Sequence, residues 1–143
     1  FSHQLREEAR DKGWTTHEVV TLASIIEKEV QTPEDKKIVA GIFENRLNAG
    51  QRLESDVTIN YGLELDPTLD SSVFTKTNTP YNTYVIQGLP PGPIANPGMD
   101  SIDAVLNPKA SDYFFFLSVP ETGEVIYAKT FGEHQRNIQQ YLF

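Results

Sequence analysis

Apolar residues along most of this chain recur at the spacing of helix faces. Val19, Leu22, Ala23, Ile26 and Val30 fall three or four residues apart, and Ile38, Val39, Ile42, Phe43 and Leu47 repeat the pattern. Such spacing gathers side chains on one face of an α-helix. The ends of these runs carry matching signals. A helix over residues 3–12 stops near Gly13; Thr15 and Glu18 form a capping box that opens a helix to about Val30. Thr32-Pro33-Glu34-Asp35 starts another, with Pro at the first helical position and acids in the first turn, and Asn48-Ala49-Gly50 ends it. Asp56 is expected to cap a further short helix through Val57, Ile59 and Tyr61, and Asp100 another over Ser101 to Leu106.

The pattern changes twice. Residues 65–97 are rich in Pro, Gly, Thr and Asn and predict a long irregular segment, kept ordered by Tyr81, Tyr84, Val85, Ile86 and Leu89. Tyr113–Val119 and Glu124–Lys129 are β-rich and flank Pro120-Glu121-Thr122-Gly123, which predicts a hairpin. Thr130 and Glu133 then form a capping box for a terminal helix reaching about Leu142. No repeat or linker divides residues 1–143. The class is α+β, in one domain: a helix-rich N-terminal half, a long ordered loop, a small antiparallel β element and a C-terminal helix.

Composition narrows the chemistry. The 143 residues carry a formal net charge of -8 and no basic cluster beyond Lys36-Lys37, so nucleic acid is not an expected partner. There is no cysteine, which excludes thiol catalysis but does not fix the compartment. His3, His17 and His134 lack metal-ligand spacing, and neither a metal nor a cofactor is expected. The chain opens on Phe rather than Met, which predicts a processed or excised piece and leaves room for a signal or membrane anchor upstream.

One local anomaly stands out. In "TLASIIEKEV", residues 21–30, two glutamates enter an apolar run. At about 100° per residue from Val19, Glu27 lies near 80° and Glu29 near 280°, both inside the apolar arc and about 200° apart. They cannot face each other as a carboxylate dyad. Either both snorkel or pair with a nearby base, or one is a working acid whose carboxyl pKa is raised by apolar surroundings. Spacing does not choose between them.

Five segments in order, "LASIIEKE" (22–29), "IFENRL" (42–47), "RLESDVTINYG" (52–62), "PYNTYVIQGLPPGPIANPG" (80–98) and the helix after the hairpin, resemble the endolytic murein transglycosylases of the YceG-like (MltG) family. Val57 and Val30 stand where the family often has Pro and Thr. The resemblance implies a bacterial envelope enzyme whose single-pass anchor and LysM-like segment precede this domain, leaving it outside the cytoplasmic membrane. It implies cleavage of the β-1,4 bond between N-acetylmuramic acid and N-acetylglucosamine in nascent glycan strands, leaving 1,6-anhydro ends. Expected partners are peptidoglycan glycan strands, with penicillin-binding proteins and the elongation or division machinery as protein partners.

The resemblance places the catalytic acid on Glu27, the first glutamate of the motif, with Glu29 in a supporting role at the substrate site. One carboxyl group suffices for such a lyase. A hydrolase would need a second, about 5–5.5 Å away if retaining or about 6.5–9.5 Å if inverting, and Asp56 is the candidate. Asp56 and Thr58 are carried as residues orienting a loop or a sugar. Tyr81-Asn82 is similar to the A-Y-N motif of lysozyme-like lytic transglycosylases, expected at the N-acetyl group, and Tyr84 is expected to stack on a sugar face. The stiff bend at residues 88–93 is expected to wall the glycan groove. A catalytically silent glycan-binding module of the cell-wall machinery, or a hydrolase using Glu27 and Asp56, remain the alternatives.

Overall fold

The computed structural model describes residues 2–143. Its elements follow the predicted order: α1 (His3–Lys12), α2 (Thr16–Glu29), α3 (Pro33–Asn48), α4 (Asp56–Leu65), α5 (Met99–Leu106), β1 (Phe115–Ser118), β2 (Val125–Ala128) and α6 (Phe131–Leu142). The Thr15–Glu18 capping box is formed in both directions, and Thr32 caps α3 by accepting from the Asp35 N–H. Each satisfies backbone donors that a helix start leaves open.

Helix α2 is the centre of the packing. It lies against α5, α3, α4 and α1, and α3 packs closely on α5. Val19, Leu22, Ala23, Ile25 and Ile26 of α2 are fully buried, as are Val39 and Phe43 of α3. Burying an aliphatic side chain of this size contributes roughly 1.5–3 kcal/mol, so this apolar seam is the main support of the fold. Where α3 passes the segment after α5 there is no room for a side chain. A Cβ on Gly41 would meet the Lys109 carbonyl oxygen at 2.2 Å. Gly41→Ala is therefore expected to force α3 and residue 109 apart and to cost about 1–3 kcal/mol in a denaturant melt.

Strands β1 and β2 form an antiparallel pair, with Phe115 opposite Ala128 and Ser118 opposite Val125. They are shorter than the β-rich sequence predicts, and α6 folds back across both. Gly123, at φ 75°, makes the turn, and its N–H donates to the Val119 carbonyl.

Four local expectations are corrected. Ser55, not Asp56, is the N-cap of α4, and its side chain makes no capping bond. The Asp56 carboxylate instead accepts from the Tyr84 hydroxyl at 2.7 Å. Helix α4 continues past Tyr61 to Leu65. Helix α5 starts after Gly98, and Asp100 sits inside its first turn, holding the Ser101 N–H and the Lys36 ammonium. At α6 only half the box forms. Thr130 accepts from the Glu133 N–H, while the Glu133 carboxylate reaches the Lys129 N–H at 3.5 Å.

The segment between α4 and α5 is ordered around Asn82, which is fully buried. Its amide donates to the carbonyls of Thr75 and Thr77, and its oxygen accepts from the Tyr84 N–H. One side chain thus satisfies three backbone groups of a loop that has little secondary structure of its own.

Candidate active site

The two glutamates of α2 leave the helix in opposite directions and meet different chemistry. Glu27 turns toward the start of α5. Its Oε1 accepts from the Gly98 N–H at 2.8 Å and from Ser101 Oγ at 2.8 Å, with Lys36 Nζ at 3.5 Å. Lys36 is almost wholly buried and also holds Asp100 at 2.9 Å. The Gly98 and Ser101 hydrogen bonds, reinforced by Lys36, outweigh burial and hold the Glu27 carboxyl below its ordinary value. This corrects the expectation of an apolar, proton-retaining environment at Glu27. Donors converge there and favour the charged form.

Glu29 turns toward the N-terminus of α4 and has the environment expected of the acid. Ser55 Oγ donates to its Oε1 at 2.7 Å. Burial raises its pKa and nearby Asp56 adds to the effect, with only Ser55 and the Arg46 charge acting the other way. Glu29 also lines a groove of about 750 Å³. One side of that groove is polar: Glu29, Glu54, Asp56 and Tyr84. The other is apolar and aromatic, built from Phe115 and Phe116 of β1 and from Phe131, His134 and Ile138 of α6. A lining that mixes polar and aromatic groups suits a ligand with hydroxyl edges and apolar faces.

The backbone between α3 and α4 sets this geometry. Glu54 is the one non-glycine residue with positive φ, at 53°, among the described residues. For such a residue the left-handed region is uncommon, and strained backbone concentrates at functional sites. The strained turn is locked from the opposite loop: Glu54 N–H donates to the Thr83 carbonyl and Ser55 N–H to Thr83 Oγ1. Arg46 braces the other end. Buried between the rings of Phe43 and Phe115, it donates from Nε to the Phe114 carbonyl and from Nη1 to the Leu53 carbonyl. It therefore ties the strand entry to the turn that carries Glu54 and Ser55.

The other expected site residues separate into two groups. Asp56 and Tyr84 reach the groove, but they are bonded to one another. Burial and the neighbouring carboxylates push the Tyr84 phenol up, so it remains a donor. Thr58, Tyr81 and Asn82 do not line the groove. Thr58 is fully buried and donates to the Ser55 carbonyl at 2.7 Å. Tyr81 packs edge-on against Tyr61, ring centres 4.9 Å apart, and the Asn82 amide is engaged by its own loop. Residues 88–93 also lie elsewhere. Pro91 meets the His17 ring at 2.7 Å, and Gly88 to Pro91 border a separate cavity with Trp14 and Leu47.

Sequence reasoning missed Arg46, Ser55 and the α6 wall. Arg46 did leave a signal, since it shares a helix face with Ile42 and Phe43. Phe131 and His134, three apart, likewise share one face of α6. Ser55 left none, because its partner is 26 residues away.

Comparison with known proteins gives the family. The chain belongs to the YceG-like family, whose profile matches residues 1–140. It is 36% identical over 138 residues to a Streptococcus pneumoniae (strain D39) protein named endolytic murein transglycosylase, covering 93% of this chain and 25% of that protein. A Bacillus subtilis (strain 168) protein of the same name is 37% identical over 139 residues, covering 96% of this chain and 38% of its own length. The crystal structure of a YceG-like protein from Listeria monocytogenes superposes with a TM-score of 0.85 at 40% identity, over 93% of this chain and 43% of that one. The chain therefore spans between a quarter and somewhat under half the length of these relatives.

Proposed function

We propose that this chain carries the catalytic domain of an endolytic peptidoglycan lytic transglycosylase, with Glu29 as its acid and base. The relatives named as endolytic murein transglycosylases support the activity. The observation that carries the residue assignment is the contrast within α2: Glu29 lines the groove with its pKa raised, whereas Glu27 is held as a carboxylate by the start of α5.

In this reading protonated Glu29 gives its proton to the glycosidic oxygen of the leaving N-acetylglucosamine as the bond to C1 of N-acetylmuramic acid breaks. The substrate's own N-acetyl group stabilises the cationic centre. The Glu29 carboxylate then takes the proton of the C6 hydroxyl as O6 closes on C1, which leaves a 1,6-anhydro end and restores the acid. No second enzymic nucleophile is required. Asp56, bonded to Tyr84, supplies negative charge near the developing cation and helps keep Glu29 protonated. Glu27, Thr58 and Asn82 support the fold around the site rather than the sugar.

The full-length protein is placed at the cell membrane in this reading, with this domain on the outer side; no helix among the described residues is long and apolar enough to cross a membrane. The test is mass spectrometry of glycan strands digested by the wild-type protein. Anhydro-muramic ends are expected. Reducing ends would mean a hydrolase that pairs Glu29 with Asp56, and intact strands a binding module.

A further inference from the structure

Ser55 occupies a place that the reaction above does not yet use. It is the N-cap of α4, yet its hydroxyl does not cap the helix. The residue is almost wholly buried, and the hydroxyl makes a single hydrogen bond, donated to Glu29 Oε1 at 2.7 Å. Two further bonds fix where that hydroxyl points. The Ser55 N–H donates to Thr83 Oγ1 at 2.8 Å, and the Ser55 carbonyl accepts from Thr58 Oγ1 at 2.7 Å. The preceding residue, Glu54, is held in the left-handed region. A helix start that gives up its side-chain cap forgoes a stabilising hydrogen bond. Here the hydroxyl is spent on a carboxylate of another helix.

We infer that Ser55 is the positioning residue of the catalytic acid, fixing the Glu29 side chain and directing its proton to Oε2. A serine hydroxyl has one proton to give. While it donates to Oε1, the unprotonated oxygen is the better acceptor, so the acidic proton of Glu29 is favoured on the other oxygen. After that proton leaves, the same bond holds the carboxylate in place to receive the next one. Pre-set geometry of this kind removes a search over rotamers from the reactive step.

The inference rests on Glu29 being the acid, and it carries a sign. Charged and titratable groups line the groove around Glu29: Lys28 beside it on α2, Arg46 from α3, Glu54 and Asp56 by the start of α4, Tyr84 from the long loop, and His134 from α6. Of these Asp56 favours its neutral form and Arg46 its charged form. Ser55, as a donor, also favours the charged form. Its loss should therefore raise the Glu29 pKa. Because the acid must be protonated to start the reaction, the alkaline limb of the rate profile should move to higher pH.

Ser55→Ala is expected to lower kcat about tenfold with KM nearly unchanged. Its alkaline limb should move upward, and Ser55→Thr, which keeps the hydroxyl, should return both toward wild type. Carbon-13 NMR titration of the Glu29 carboxyl reads the same contact without turnover and should show a higher pKa in Ser55→Ala only. A folded Ser55→Ala protein with wild-type kcat, rate profile and Glu29 titration would overturn the inference. A wild-type protein that makes no anhydro ends would instead sink the activity reading, while the titration would still decide whether Ser55 governs Glu29.

Discussion

Glu29→Gln is expected to lower turnover by between roughly a hundredfold and ten-thousandfold, the usual contribution of a positioned acid and base, and at the same time to stabilise the protein at neutral pH. The two effects share one cause. Burial holds the Glu29 carboxyl above its ordinary value of 4.5. A group raised in this way stabilises the fold fully below the ordinary value, and that contribution is lost as pH rises through the raised one. Above the ordinary value the unfolded chain ionises this carboxyl more readily than the folded site does, and an uncharged amide of the same shape removes that penalty. Thermal melts should place Glu29→Gln above wild type at pH 7, with the difference closing as pH falls toward 4.5. A lower melting temperature at pH 7 would mean that Glu29 is a structural ion-pair member.

Arg46→Ala should be the most damaging single change to the groove's frame. Arg46 is buried between Phe43 and Phe115 and donates to the carbonyls of Phe114 and Leu53. Alanine leaves both carbonyls without their donor and empties the space between two rings. Each buried acceptor left unpaired costs about 1–3 kcal/mol, and the lost packing adds to it. A loss of about 3–5 kcal/mol is expected in chemical denaturation. Arg46→Lys should recover little, since an ammonium cannot reproduce two donors in a fixed plane. A loss under about 1 kcal/mol would show that the strand and the turn hold their places without this tie.

The fold was legible because its signals are local. Capping residues at Thr15 and Thr32, the apolar periodicity of α2 and α3, and the turn before β2 each act within a few residues. The site was legible only in part, because it is assembled from distant pieces. Helix geometry put Glu27 and Glu29 on opposite sides of α2, and the structure keeps them there. Which side becomes a groove depends on where α5, α4 and α6 dock, and no spacing within α2 carries that information. The motif resemblance named the right family and placed the acid on the first glutamate. The environments favour the second: Gly98, Ser101 and Lys36 collect around Glu27, while burial and Asp56 act on Glu29. Tyr81-Asn82 misled for a related reason. A short motif can keep its letters while its side chains brace the loop from within.

The assignment of the acid is tested most directly by comparing Glu27→Gln and Glu29→Gln side by side, counting 1,6-anhydro-muramic ends by mass spectrometry. Both variants should fold. Glu27→Gln should lose some stability at neutral pH, since a carboxyl held below its ordinary value stabilises the fold above that value and loses the effect only as pH falls through the lowered one. It should still release anhydro ends, whereas Glu29→Gln should release almost none. The reverse pattern, with Glu29→Gln active and a folded Glu27→Gln silent, would contradict the account.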